Sequence, residues 1–187
     1  ASYFFAAAAV TGGDVTVKGL SKDSIQGDIA FCNGLEQMGC EIEYGGDFIR
    51  VHGGQLVGID IDMNSISDTV LTLAVVALFA LGPTHISNIR HIRDKETDRI
   101  TDLAQELRKL GATVDEFEDG MTITPCSYQG AIIETYNDHR MAMSFAIAGL
   151  RIPDVVISDP ACCNKTYPNF FVDLTALIDN RQDPIAT

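Results

Sequence analysis

Glu106-Leu107-Arg108-Lys109-Leu110-Gly111-Ala112-Thr113-Val114-Asp115-Glu116, followed by Met121-Thr122-Ile123-Thr124, is the stretch on which the fold turns. Ile100, Leu103, Ala104, Leu107 and Leu110 recur with a helical period, and Gly111 supplies the left-handed residue that ends a helix. Residues 113–116 and 121–124 then read as a two-stranded hairpin turning at Asp119-Gly120. The same order stands earlier in the chain. Leu35-Glu36-Gln37-Met38-Gly39 leads into residues 40–44 and 48–51, with Gly45-Gly46 at the turn.

Working outward, three β-branched segments are centred on Thr16, Ile86 and Val156, successively 70 residues apart. Each follows a run that is apolar nearly all round, at residues 2–10, 68–81 and 138–150, and such helices sit inside a domain. With an opening strand at 57–61, the middle unit reads strand, helix, strand, helix, strand, strand. A βαβαββ unit used three times predicts one α/β domain with helices buried between sheets. The units fall at about residues 1–53, 56–125 and 130–178. The first lacks its opening strand. The third has a short second helix at 169–177 and no closing hairpin before the polar tail 179–187. The pattern therefore predicts a piece of a longer chain, with the missing strands supplied from outside this sequence and its open sheet edges prone to association.

The 187 residues carry 26 acids against 13 bases, a net charge of −13 and a pI near 4.5. That excludes a general nucleic-acid binder, which needs a basic face. The apolar runs are shorter than the roughly 20 residues of a membrane helix, and no basic segment precedes an apolar stretch at the start. A cytoplasmic protein is expected. The five cysteines are scattered without a C-x-x-C pair, and histidine is rare, so buried thiols are expected rather than a zinc site.

The remaining polar residues collect at helix starts. Lys95-Glu96-Thr97-Asp98-Arg99 opens the amphipathic helix expected over 97–110, where Lys95 and Arg99 share a face if the helix begins early. Two readings stand: a solvated start neutralised by Asp98 and Asp102, or an anion site built from two cations and free N–H groups. Asn64, Ser67, Asn137 and Asp138 are N-cap types for the other two buried helices. Arg140, a cation in a first turn, needs an anionic partner, either a protein carboxylate such as Asp138 or Asp159 or a ligand. Lys165 lies in the loop Asp159-Pro160-Ala161-Cys162-Cys163-Asn164-Lys165, as a surface lysine or as a fourth site cation. Because the units repeat, the buried helices should begin at one end of the domain, bringing Lys95, Arg99, Arg140 and Lys165 beside Asp68 and Glu96. One basic concavity on an acidic protein focuses small anions.

Ser2-Tyr3-Phe4 with its alanines, Gln26-Gly27-Asp28, Asp62-Met63-Asn64 with Asp68, Lys95-Glu96-Thr97-Asp98-Arg99-Ile100, residues 106–112, Asp138-His139-Arg140-Met141-Ala142-Met143, and Asp159-Pro160 with Lys165-Thr166-Tyr167-Pro168 stand in one order. Together they resemble the enolpyruvyl transferase family, in the branch whose acceptor is shikimate 3-phosphate. The resemblance implies an inside-out α/β barrel domain of three βαβαββ repeats, facing a second domain that is not in this chain. It implies transfer of the enolpyruvyl group of phosphoenolpyruvate to the 5-hydroxyl of shikimate 3-phosphate with release of phosphate, without metal or cofactor. It also implies that Asp68 binds the shikimate hydroxyls and accepts a proton, and that Glu96 donates one. Lys95 would contact the shikimate moiety, Arg99, Arg140 and Lys165 would hold phosphoenolpyruvate, and His139 would support them. By itself the chain should be inactive.

The sequence departs from the family at His91-Ile92-Arg93-Asp94-Lys95, where members carry Asn-x-Arg-x-Lys, so the Asn contact has no counterpart at His91. Asp94 adds negative charge there, and Cys162-Cys163 replaces a Cys-Thr pair. Two rival readings are a sister branch that accepts UDP-N-acetylglucosamine, and a non-catalytic repeat domain. The second requires the six charged residues to point apart or to be paired within the domain.

Overall fold

The structure is a computed structural model and describes residues 1–22 and 28–179. Gln26-Gly27 of one motif and the tail from residue 180 lie outside the described residues. In chain order the elements are α1 (Ser2–Thr11), β1 (Asp14–Lys18), α2 (Asp28–Gln37), β2 (Glu41–Tyr44), β3 (Phe48–His52), β4 (Asp60–Asp62), α3 (Val70–Ala77), β5 (Thr84–Ser87), α4 (Arg99–Lys109), β6 (Thr113–Glu116), β7 (Met121–Thr124), β8 (Ile132–Ile133), α5 (His139–Ala148), β9 (Val156–Ile157) and α6 (Phe170–Asp179). Short 3₁₀ segments span Asn64–Thr69, Arg90–Asp94 and Pro160–Lys165.

One connectivity recurs across three sheets. Hairpin strand β3 pairs antiparallel with both β1 and β2, as β7 does with β5 and β6. The opening strand β4 runs parallel to β5, and β8 runs parallel to β9. The inward positions Val51, Ile86, Met121 and Ile123 are fully buried, so the two-residue period fixes which face meets the helices.

Behind the sheets α1, α3 and α5 form the core. All eight residues of α3 are buried, and the alanines of α1 let its neighbours approach closely. A buried hydroxyl pair, Thr72 to Ser144 at 3.1 Å, joins α3 to α5. Each buried Leu or Val contributes roughly 1.5–3 kcal/mol, enough to make this bundle the main source of stability. By contrast α4 is amphipathic, burying Ile100, Leu103, Ala104 and Leu107.

The structure moves three boundaries. The strand expected at 57–61 is Asp60–Asp62, with Val57 a separate parallel bridge to Leu81. Gly58 causes the break: it passes so close to Pro83 that a Cβ would sit 2.0 Å from the Pro83 carbonyl oxygen. The run expected as one helix over 68–81 is a 3₁₀ turn followed by the short α3, because Leu78, Phe79 and Ala80 donate to carbonyls three residues back and unwind its end. Helix α4 begins at Arg99, not Thr97, since the Asp98 carboxylate accepts the N–H groups of Ile100 and Thr101. Among the described residues no helix is long and apolar enough to cross a membrane.

Candidate active site

The starts of α1, α3 and α5 meet at one end of the domain, around an open cavity of about 410 Å³. Its wall is polar: Ser2, Ser65, Ser67, Asp68, Lys95 and Arg140. N-terminal helix dipoles add partial positive charge there.

Asp138 caps α5 by accepting the Arg140 N–H at 2.8 Å. Of the four expected caps it alone serves as one. Asn64 instead donates its side-chain amide to the Asn88 carbonyl, while Asp62 accepts from the Asn64 N–H and the Asn88 amide; those two bonds hold the Asp62 carboxyl below the usual range. Asp62-Met63-Asn64 therefore ties the end of β4 to the end of β5.

Among the described residues Arg99, 1% exposed, is the most enclosed cation. Its Nε donates to Asp138 Oδ2 at 2.7 Å and its Nη2 to Glu96 Oε2 at 2.7 Å, with Asp68 Oδ1 3.7 Å from Nη1. Asp138 is itself fully buried. A buried guanidinium against a buried carboxylate is tolerated because each satisfies the other's charge and hydrogen bonds.

Arg140 has a protein partner, but not the one expected. Its Nη2 donates to Asp68 Oδ2 at 2.9 Å and its Nη1 to the Asp68 carbonyl at 3.0 Å. Asp138 is taken by Arg99, and Asp159 caps the Ala161 N–H, so neither is free for the Arg140 side chain. Asp68 thus stands between two guanidiniums while remaining 57% exposed at its side chain. Such a half-wet pair contributes up to about 1 kcal/mol and exchanges readily for a ligand anion.

Lys95 is exposed and lines the cavity from the connector between the Arg90–Asp94 turn and α4. Because α4 begins at Arg99, Lys95 and Arg99 do not share a helix face. The connector is held from behind by Arg93, which binds Asp98 at 2.9 Å, Thr101 at 3.0 Å, Glu116 at 3.1 Å and the Phe117 carbonyl at 2.7 Å. Lys165 is exposed, with its ammonium 3.3 Å from the Asn137 carbonyl. His139 is buried, and burial lowers its pKa below 6.5, so it is neutral at pH 7. His91 is exposed on the Arg90–Asp94 turn.

All seven residues singled out from the sequence therefore lie in this region, with Asp68, Lys95 and Arg140 on the cavity wall and Arg99, Glu96, His139 and Lys165 beside it. The sequence reading missed the second role of Asp138, as counter-charge to Arg99. Its signal was an acid directly before a buried helix, read as a cap and as a candidate partner of Arg140 rather than of Arg99. It also missed Tyr3, buried beside Arg140; burial raises its pKa to about 12 although the Arg140 guanidinium opposes the rise.

Repeated α/β sheets over three buried helices, with charged residues gathered at the helix starts, define the enolpyruvyl transferase fold. EPSP synthase from Acinetobacter baumannii superposes with a TM-score of 0.82 at 28% identity, over 94% of this chain and 44% of that one. The enolpyruvyl transferase NikO from Streptomyces tendae superposes at 0.74 over 94% of this chain and 41% of that one, and at 20% identity shows the fold alone. The family model for EPSP synthase (3-phosphoshikimate 1-carboxyvinyltransferase) matches residues 1–174, and the chain belongs to that family. It is 56% identical over 96% of its length to the 3-phosphoshikimate 1-carboxyvinyltransferase of a Nostoc species, and 52% identical over 95% to that of Aliivibrio fischeri. It spans 42% of the length of each.

Proposed function

We propose that this chain is part of an enzyme that transfers the enolpyruvyl group of phosphoenolpyruvate to the 5-hydroxyl of shikimate 3-phosphate, releasing phosphate. The observation that carries the reading is convergence: two carboxylates, Asp68 and Glu96, and the cations Lys95, Arg99 and Arg140 meet at one polar cavity. The scaffold reading asks for these groups to point apart or to be paired away. Four of them, Asp68, Glu96, Arg99 and Arg140, are paired, but with one another and around a cavity. The Asp68–Arg140 pair is half-exposed, so bound substrate can take over both members.

In this reading Arg99, Arg140 and Lys165 hold the phosphate and carboxylate of phosphoenolpyruvate, and Lys95 contacts the shikimate moiety. Asp68 binds the acceptor hydroxyls and takes the proton of the 5-hydroxyl as its oxygen bonds to C2. Glu96 gives a proton to the methylene carbon, and the surrounding cations offset the charge of the substrates. Loss of phosphate from the tetrahedral intermediate and return of the proton complete the transfer. His139, neutral and buried, packs behind this set. No step draws on a metal or cofactor.

The chain forms one domain of three units, at about 1–53, 56–125 and 130–178, and works against a second domain within a cytoplasmic enzyme. Supporting this, β5 and β9 each carry a parallel neighbour, whereas the outer edge of β1 faces an open groove of about 390 Å³ beside Phe4, Asp173 and Leu177. A strand from the remainder of the relatives' length fits there. Alone, the chain should have little affinity and no turnover.

The test is phosphate release from phosphoenolpyruvate by the chain combined with that remaining segment, offering shikimate 3-phosphate and UDP-N-acetylglucosamine separately. Release with shikimate 3-phosphate alone, abolished by Glu96→Gln, supports the reading. A folded complex that releases phosphate with neither acceptor overturns it.

A further inference from the structure

The turn that delivers Asp138 to the site is built against its own backbone preference. It is closed by the Asp138 N–H donating to the Thr135 carbonyl at 2.8 Å, and its central residues Tyr136 and Asn137 have φ of 53° and 55°. Turns with two left-handed residues favour glycine and asparagine; a bulky tyrosine there is an outlier. What Tyr136 offers that glycine lacks is a hydroxyl, which donates to Glu106 Oε1 at 2.7 Å.

Glu106 lies on α4 and is 0% exposed. Its Oε2 accepts the Glu134 N–H at 3.1 Å, and the Lys109 ammonium reaches its two oxygens at 2.7 and 2.8 Å. Every bond to this carboxylate is internal, and it does not line the cavity. About two helical turns earlier on the same helix, Arg99 binds Asp138. Helix α4 therefore grips the segment from Glu134 to Asp138 at both ends, with the strained turn between the grips.

Three site cations depend on that turn. Asp138 fixes the Arg99 guanidinium, the Asn137 carbonyl accepts from Lys165, and the Asp138 cap sets the first turn of α5 that carries Arg140. We propose that Glu106 and Tyr136 are positioning residues that set the anion affinity of the cavity without touching the anion. The proposal rests on the functional reading above.

It is tested on the chain combined with its remaining segment, using Tyr136→Phe, Tyr136→Gly and Glu106→Gln, with melting temperature recorded for each. The readouts are KM and kcat for both substrates and, separately from activity, the Kd of inorganic phosphate. Tyr136→Phe should weaken phosphate binding and raise the KM for phosphoenolpyruvate by about tenfold, the loss of one hydrogen bond to a charged group. The KM for shikimate 3-phosphate should change far less, because Asp68 and Lys95 come from other segments. Tyr136→Gly, which relieves the backbone and removes the hydroxyl, should do no better than Tyr136→Phe, and Glu106→Gln should shift the same two constants. Phosphate affinity in Tyr136→Gly equal to that of the unsubstituted protein overturns the proposal, since the turn would then hold itself. So does equal weakening toward both substrates that tracks a fall in melting temperature, which is a purely structural effect. If the unsubstituted protein binds phosphate in a Tyr136-dependent way but never turns over, the functional reading fails and the positioning role stands. Normal turnover with unchanged constants in Tyr136→Phe sinks the positioning role alone, and a protein that binds no phosphate overturns both.

Discussion

Two arginines flank the start of α4 and end in opposite circumstances. Arg93 spreads its guanidinium over Asp98, Glu116, the Thr101 hydroxyl and the carbonyls of Phe117 and Glu118, pinning a connector to the β6–β7 hairpin. Arg99 sees three carboxylates, of which Asp138 is sealed while Glu96 and Asp68 are 36% and 57% exposed. The first arrangement is closed: no acceptor in it can leave without leaving a donor unsatisfied. The second is open on one side, where its counter-charges can turn to a ligand. Neither net charge nor solvent access separates them, since Asp98 at 41% is as exposed as Glu96. Position does: Asp68 lines the cavity, and none of the Arg93 acceptors does.

The comparison breaks first at Glu96. If the open side does chemistry, Glu96→Gln should cut kcat about 10²–10⁴-fold, the usual worth of a positioned general acid, with little change in melting temperature. A rate within the scatter of the unsubstituted complex would remove Glu96 from the mechanism. Arg99→Met comes next. It strands Asp138, a fully buried carboxylate, and should cost about 3–5 kcal/mol, lowering the melting temperature by about 10 °C or more and abolishing phosphate binding. Arg93→Met should cost about 1.5–3 kcal/mol through its lost charged hydrogen bonds, yet leave phosphate affinity much closer to normal. Should the two variants lose phosphate binding equally, the division between closed and open arginines is wrong.

The sequence shows why this division was hard to see in advance. The hairpins that follow Gly39 and Gly111 were legible because a helical period, a glycine stop and a turn lie within one short window. The buried helices were legible as apolar runs, although the strand before α3 came out displaced. There the deciding contact, Gly58 against Pro83, belongs to a residue with no side chain to signal it. Site residues were legible as types at helix starts. Their pairing was not: Arg99 reaches 39 residues forward to Asp138, and Arg140 reaches 72 residues back to Asp68. Reading along the chain favours near neighbours, so Arg140 was matched to Asp138 and Asp159, both of which have other work. Lys95 and Arg99 would share a helix face only in a helix that began early, and the Asp98 cap separates them.

The smallest effect concerns His139, which lies 3.9 Å from Asp138 and therefore reports on the open side. Burial lowers its pKa from 6.5, helped by Arg140 and Lys165 and opposed by Asp138 and Glu96. Between the lowered value and 6.5 the unfolded chain binds a proton that the folded one refuses, so stability should rise with pH across that window and fall as pH drops below 6.5. The Asp98 carboxyl of the closed side titrates lower. Burial raises its pKa, but the Thr101 N–H and the Arg93 guanidinium outweigh that and hold it below 3.8, so its contribution persists until the pH falls further. Urea midpoints measured from about pH 5 to 7.5 should therefore slope upward in the unsubstituted protein and flatten in His139→Gln. An equal slope in both proteins would mean that His139 is protonated as easily when folded as when unfolded. The pocket formed by Asp138, Glu96 and the two cations would then be wetter than its burial indicates.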